Sequence, residues 1–406
     1  MMSTKINFID LFSGCGGLSE GFKLSGKYNM LAAVEWEKPQ VRTLIHRLET
    51  KWRYSDAKNR VLHFDIQRFD DLTTGWADDP VFGSHDGLDR IVGEQNVDLI
   101  IGGPPCQAYS LAGRIRDGNG MREDYRNYLF ESYMKVVRHY RPKLFVFENV
   151  PGILSAAPGG VPVPQLIAEE IERSGYHVID DFRKYAQVDM TEYGVPQKRK
   201  RIIILGIRKD LVSDPELTLE NFYTKVLTKY KTSQKTVKDA IGDLPPLYPL
   251  SNDLINVKGR QSHSSDNEIP NHIPRYHSER DINIFRFLTS DIESGRLAYV
   301  SSAKLKELYT EWTGKTSNVH KYYVLRWNET SNTIPAHLYK DGLRHIHPDP
   351  KQARSITVRE AARLQTFPDD FEFICSAGDN YKMIGNAVPP LFSEKLSKAI
   401  LDLKLF

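Results

Sequence analysis

A chain of 406 residues, 40% hydrophobic and 26% charged, carries enough apolar material for a sizeable core and suggests two domains, or one large domain with a big insertion. A formal charge of +3 permits a polyanionic partner without demanding one. Three scattered cysteines (Cys15, Cys106, Cys375) exclude a disulfide framework and a CxxC metal site, and suit a reducing, cytoplasmic compartment.

Residues 6–12 (INFIDLF) form a β-prone apolar run that ends in a glycine cluster. A helix-like stretch follows to about Lys23. Residues 30–35 (MLAAVE) predict a second buried strand closing on an acid, and 97–101 (VDLII) a third. Residues 143–148 (KLFVFE) predict a fourth, again closing on an acid, and 201–207 (RIIILGI) another. Helical periodicity fills 126–140 and 164–175. Short apolar strands alternating with helices predict an α/β fold, a mostly parallel sheet with helices on both faces. Ligands of such sheets bind outside the carboxyl ends of the strands, where every polar cluster just met would lie.

The βα rhythm stops near residue 210. Residues 214–351 are rich in Pro, Asn, Ser, Tyr and His, and their 19 Lys/Arg nearly cancel 17 Asp/Glu. They predict a separate, irregular domain. Its run HLYKDGLRHIHPDP (337–350) offers His345 and His347 without a convincing third and fourth ligand, so no metal is expected. Regular structure resumes with a capped helix at 355–366 and a last helix at 389–404 opened by Pro389-Pro390. The expected division is 1–213, 214–351 and a return at 352–406. No signal peptide and no membrane-spanning run are expected.

Four constellations carry chemistry. The loop FSGCGGLSEGF (12–22) can turn sharply and approach a ligand, and the helix after it offers free N–H groups. Glu35 closes the next strand, where a carboxylate typically accepts ribose hydroxyls, and Asp65 follows a further short strand; together they suggest a nucleoside-bearing cofactor. GGPPCQAYS (102–110) sets Cys106 behind two stiffening prolines in a polar turn, a setting for a reactive thiol rather than a buried structural one. FENV (147–150) ends a strand on Glu148, a carboxyl placed to donate or share a proton. VPQKRKRIIIL (195–205) puts Arg199 and Arg201 on one strand face, although such runs are more often solvated charge.

In this order the four elements resemble the DNA (cytosine-5) methyltransferases of bacterial restriction-modification systems. FIDLFSGCGG, VEW (34–36), FDI (64–66), PPCQ, RNYLF (126–130), ENV and QKRKR (197–201) all match that family's wording. So do RSITVREAARLQTFPD (354–369) and IGNAVPP (384–390). The resemblance covers about 1–210 and 352–406; in this family the remainder is the variable target-recognition domain.

The resemblance implies a Rossmann-like, S-adenosylmethionine-dependent methyltransferase with a smaller target-recognition domain. It implies cofactor contacts from Phe12, Ser13, Gly14, Cys15, Gly16, Gly17 and Leu18, from Glu35 and Trp36, and from Asp65 and Ile66. Gly103, Pro105, Leu129, Asn386 and Ala387 complete that set. It implies catalysis by Cys106, Glu148, Arg199 and Arg201. DNA contacts fall to Gln107, Ser110, Arg114, Val150 and Arg199, and the loop with Gly113, Arg114, Gly118 and Gly120 would close over a flipped base. The expected partner is double-stranded DNA, with a monomeric enzyme and a restriction endonuclease acting on the same site. An RNA methyltransferase of the same fold would carry Thr at position 110 and a much shorter variable domain. A catalytically dead binding protein would lack Cys106, Glu148 or Arg201. An oxidoreductase would want GxGxxG.

Overall fold

A computed structural model describes residues 5–104, 129–157, 162–251, 261–340 and 342–406. Pro105, Cys106, Gln107, Ser110, Gly113, Arg114, Gly118 and Gly120 lie outside the described residues.

The strands are β1 (Ile6–Leu11), β2 (Tyr28–Glu35), β3 (Val61–His63), β4 (Trp76–Asp79) and β5 (Gly83–His85). They continue with β6 (Leu99–Gly102), β7 (Leu144–Asn149), β8 (Tyr176–His177), β9 (Gln187–Asp189) and β10 (Lys200–Arg208). Eight of them form one sheet in the order β3-β2-β1-β6-β7-β10-β8, with β9 beside β10, while β4 and β5 form a separate hairpin. The pairs β2/β3, β1/β2, β1/β6 and β6/β7 are parallel; β10 runs antiparallel to β7, β8 and β9. Every residue of β6 and β7 is buried, as are all but one each of β1 and β2. Strands buried on both faces need cover on both, so their sequences run apolar without alternation. The strand order reverses at β1/β6, the switch point where such sheets bind ligands.

The chain divides into two compact units. The first comprises Met1–Gly194, Arg199–Ser233 and Ala387–Phe406; the second comprises Val195–Lys198 and Gln234–Asn386. These bounds differ from the expected breaks at 213/214 and 351/352. The βα rhythm ends near 210, but packing on the sheet does not. Asp214 caps the helix Pro215–Asn221, and the Tyr223 hydroxyl then donates to Ile203 O (2.9 Å) and accepts from Leu205 N (2.9 Å) on β10. The last helix, Pro390–Leu401, belongs to the first unit, where its Ser397 carbonyl accepts from the Tyr28 hydroxyl at 2.8 Å.

Among the described residues the second unit has isolated bridges but no strand. Its core gathers Ile282, Phe285 and Leu288 of the helix Glu279–Glu293 with Leu305, Leu308, Tyr322 and Ile346. The expected helix at 355–366 is shorter, Val358–Leu364, with Thr357 and Glu360 forming a capping box. The Glu360 carboxylate also takes both terminal nitrogens of Arg354 at 2.7 Å, and both side chains are almost fully buried. Burial alone would raise this carboxyl; the Arg354 guanidinium outweighs it and holds it well below its ordinary 4.5. A depressed folded value means this stabilisation is present above about pH 4.5 and is lost as pH falls toward the folded value. Replacing Arg354 by Met leaves a buried carboxylate without its cation. Urea unfolding at pH 7 is expected to show a loss of about 3–5 kcal/mol. Unchanged stability would refute the pair's structural role.

Candidate active site

The loop after β1 is built on hydrogen bonds to β2. Phe12 takes a positive φ of 57°, and Gly14 and Gly16 follow at 56° and 90°. Ser13 N donates to Val34 O (3.1 Å), and Gly16 N closes back on Ser13 O (2.9 Å). Only glycine accepts the Gly16 geometry without strain, and it releases the chain into the helix Gly17–Leu24. Glu35 holds this loop in place. Its Oε2 accepts from Gly14 N and its Oε1 from Glu37 N, both at 2.8 Å. Burial raises the Glu35 carboxyl, and those two N–H groups act in the opposite direction.

The predicted cofactor residues of the first unit line the same edge of the sheet. Cys15 and Leu18 are buried, whereas Trp36, directly after Glu35, is 54% exposed. Phe64 N donates to Glu35 O (3.1 Å), which sets Asp65 and Ile66 beside β2. Leu129 opens the helix Leu129–Tyr140 and is buried. Asn386 ends the helix Ala377–Asn386 of the second unit, and Ala387 begins the last segment of the first. The donor set suits a nucleoside with a charged tail. Glu35 keeps lone pairs for hydroxyls, the Trp36 ring is open, and the buried Ser13 Oγ has no partner among the described residues.

The second half of the site stands at the ends of β6 and β7. Arg201 Nε lies 2.8 Å from Glu148 Oε1, with both side chains largely buried. The antiparallel register pairs Ile203 with Glu148 and Ile202 with Asn149, so β10 begins where β7 ends. Arg199 is 1% exposed, and its Nη2 donates to Ala387 O at 2.8 Å. Burial pushes the Arg199 guanidinium well down, the nearby Arg201 adds to this, and Glu148 opposes it. Burial also lowers Arg201, again opposed by Glu148. The Arg201 guanidinium is thus the group that contacts the Glu148 carboxylate, and Arg199 adds a second buried positive charge nearby. Arg199, expected both to support Glu148 and to contact DNA, has an almost fully buried side chain. Val150 is half-buried at the rim.

Sequence reasoning missed three features. Asp10, inside β1, is pushed up to about 7 by burial; Ser19 Oγ donates to its Oδ2 at 2.5 Å. Its signal was a lone acid in an apolar run. Asn149, next to the acid already singled out, donates through Nδ2 to Pro104 O (3.3 Å) and so ties β7 to the segment leading to Cys106. Gly103, expected to meet the cofactor, faces Glu148: a Cβ there would lie 2.7 Å from Oε2. His345 and His347 are buried, and burial pushes each down to about 3. Among the described residues one set with metal-ligand chemistry occurs, His177, Asp180 and Glu216; there the His177 ring meets Glu172 and Glu216 at 2.9 Å each.

The family model for C-5 cytosine-specific DNA methylase matches residues 6–402. The chain belongs to this family. It is a DNA (cytosine-5) methyltransferase of the kind found in bacterial type II restriction-modification systems. It is 35% identical to the type II methyltransferase M.Bpa9945I of Bacillus paralicheniformis, over 97% of this chain and 98% of that protein. A crystal structure of a prophage-encoded DNA modification methyltransferase from E. coli superposes with a TM-score of 0.60 at 25% identity, covering 98% and 99% of the two chains. The Dnmt2 methyltransferase of S. pombe, 14% identical with 98% of each chain covered, shares the fold at a TM-score of 0.55. Among the described residues no helix is long and apolar enough to cross a membrane.

Because Glu148 needs the space that Gly103 leaves, Gly103→Ala is expected to displace the carboxylate from Arg201. Methyl transfer should fall by roughly 10²-fold or more, the scale of a lost general acid. Steady-state assay checks this: kcat should drop. Wild-type kcat would show that the carboxylate tolerates the added methyl.

Proposed function

We propose that this methyltransferase modifies C5 of a cytosine flipped out of a specific duplex DNA site, through covalent addition of Cys106 to C6. The observation that carries the reading is the Glu148–Arg201 pair at the end of β7, beside the β6 segment that leads through Gly103 and Pro104 to Cys106.

C5 of cytosine is a poor nucleophile. The Cys106 thiolate would form a bond to C6, and the C5–C6 π electrons would become available at C5. Glu148, oriented by Arg201, would donate to N3 and relieve the charge that develops on the ring. General-acid help of this kind is typically worth roughly 10²–10⁴ in rate. Arg201, and with it Arg199, would also hold the O2 edge of the base and a phosphate and support Glu148. S-adenosylmethionine, held by the Phe12–Leu18 loop, Glu35, Trp36, Asp65, Ile66 and Leu129, supplies when bound the electrophilic methyl that the activated C5 accepts. Loss of the C5 proton then returns electrons to the ring and breaks the bond to Cys106. A stacked base exposes none of these atoms, so flipping is required, at a cost of a few kcal/mol.

The expected target-recognition domain, 214–351, of which 234–351 lie in the second unit, would read the DNA sequence from the major groove. Its near-neutral composition assigns phosphate contacts to selected side chains rather than to a basic block. The type II names of the relatives support a protective role beside a restriction endonuclease that acts on the same site; the enzyme would work as a monomer.

Cys106→Ser is expected to abolish transfer of labelled methyl to duplex DNA while DNA and cofactor binding persist, and 5-fluorocytosine in the site should trap a covalent adduct with the parent enzyme. Turnover by the Ser variant, or no adduct, would sink the mechanism. Exchanging 234–351 for the matching segment of a relative with another site is expected to move the methylated sequence, read by bisulfite sequencing. An unmoved site would overturn the recognition role.

A further inference from the structure

The β4–β5 hairpin stands outside the main sheet, yet it is tied to the strand ends that carry Glu35 and Asp65. Trp76 pairs with His85 and Asp79 with Gly83. Asp79 Oδ1 accepts from Val81 N (2.9 Å) and Phe82 N (3.0 Å), and Arg68 Nη1 reaches Asp79 Oδ2 at 2.6 Å. The Trp76 indole stacks on Phe64, centroids 3.8 Å apart, and its Nε1 donates to Phe82 O at 3.4 Å. The turn is therefore held on both sides of Phe82.

The Phe82 ring leans on three neighbours from the cofactor edge. It stands edge-on to Trp36 (5.7 Å, 68°), to His63 (5.1 Å, 69°) and to Phe64 (5.1 Å, 62°). His63 in turn meets the Trp36 carbonyl through Nε2 at 2.9 Å. Trp36 remains 54% exposed, so its indole is braced on one flank and open elsewhere. A large exposed side chain otherwise loses rotamer freedom when a ligand stacks on it, and that loss opposes affinity. A brace removes part of the loss beforehand.

We propose that Phe82 is a positioning residue for the nucleoside end of the cofactor: it holds the Trp36 indole ready to stack on the adenine. This rests on the reading that Glu35 and Trp36 hold S-adenosylmethionine. The hairpin is then a wall of the cofactor site rather than a surface ornament. Asp79 and Arg68 act one step further out, by fixing the turn that presents the ring.

The test measures binding of S-adenosylhomocysteine by isothermal titration to the full-length protein, with unfolding midpoints alongside. Phe82→Leu keeps apolar bulk and removes the ring; it is expected to weaken binding about three- to tenfold. Phe82→Tyr should stay within about twofold of the parent. In turnover, Phe82→Leu should raise KM for S-adenosylmethionine and leave kcat unchanged, a split that a general loss of fold does not produce. If Phe82→Leu fails to fold, Asp79→Asn, which loosens the turn and keeps the ring, decides by the same weakening. Parent-like affinity in the deciding variant, or equal weakening by Leu and Tyr, overturns the proposal. Trp36→Ala separates the two levels. If it weakens binding while Phe82→Leu does not, the cofactor reading stands and the brace falls; if Trp36→Ala also binds like the parent, the reading of Trp36 itself fails.

Discussion

One antiparallel strand makes the site possible. In a sheet of parallel strands the carboxyl ends gather at one edge, and β1, β2, β6 and β7 deliver their acids and loops there. None of them delivers a strand's beginning. Because β10 runs the other way beside β7, its first residues arrive at that same edge. Arg201 can then meet Glu148 at 2.8 Å, with Arg199 buried two residues before it. A parallel strand in the same place would carry those arginines to the opposite edge.

Two carboxylates at this edge are held by different means, and the difference suits different tasks. Glu35 is fixed by two backbone N–H groups, so its remaining lone pairs stay available for hydroxyl donors. Glu148 is fixed by a guanidinium and by the absence of a side chain at Gly103, which leaves its carboxyl room and one orientation. The hydroxyls of a nucleoside fit the first environment. A base whose ring charge changes during reaction fits the second.

The strands and their acids were legible because doubly buried strands leave continuous apolar runs, and a run that ends on Glu35 or Glu148 marks a strand end at the same time. The domain limits were not legible. Periodicity stops near residue 210, but Leu219, Phe222 and Tyr223 still pack with the first unit, so the break falls after Ser233. At the other end, Arg354 and Glu360 resemble the catalytic family's wording and yet belong to the second unit's buried framework. Asp10 and Asn149 escaped notice for a related reason. Their roles depend on partners that only the fold brings near, Ser19 across a strand-loop-helix turn and Pro104 on a neighbouring strand end. Phe82 gave no signal at all, because a single aromatic in a polar turn is unremarkable until Trp36 is seen beside it.

The QKRKR segment gains most from the fold. Read as a sequence it is a charge run; in the molecule its residues are assigned to different tasks. Gln197 is fully buried in the second unit, where Nε2 donates to Leu364 O (3.0 Å) and Oε1 accepts from Ile334 N (3.0 Å). Lys198 N donates to Ser331 O (2.8 Å) in that same unit. From Arg199 onward the chain belongs to the first unit, and Arg199 O accepts from Met190 N at 2.9 Å. The crossing therefore takes place within one peptide bond, between two residues whose backbones are each already bonded.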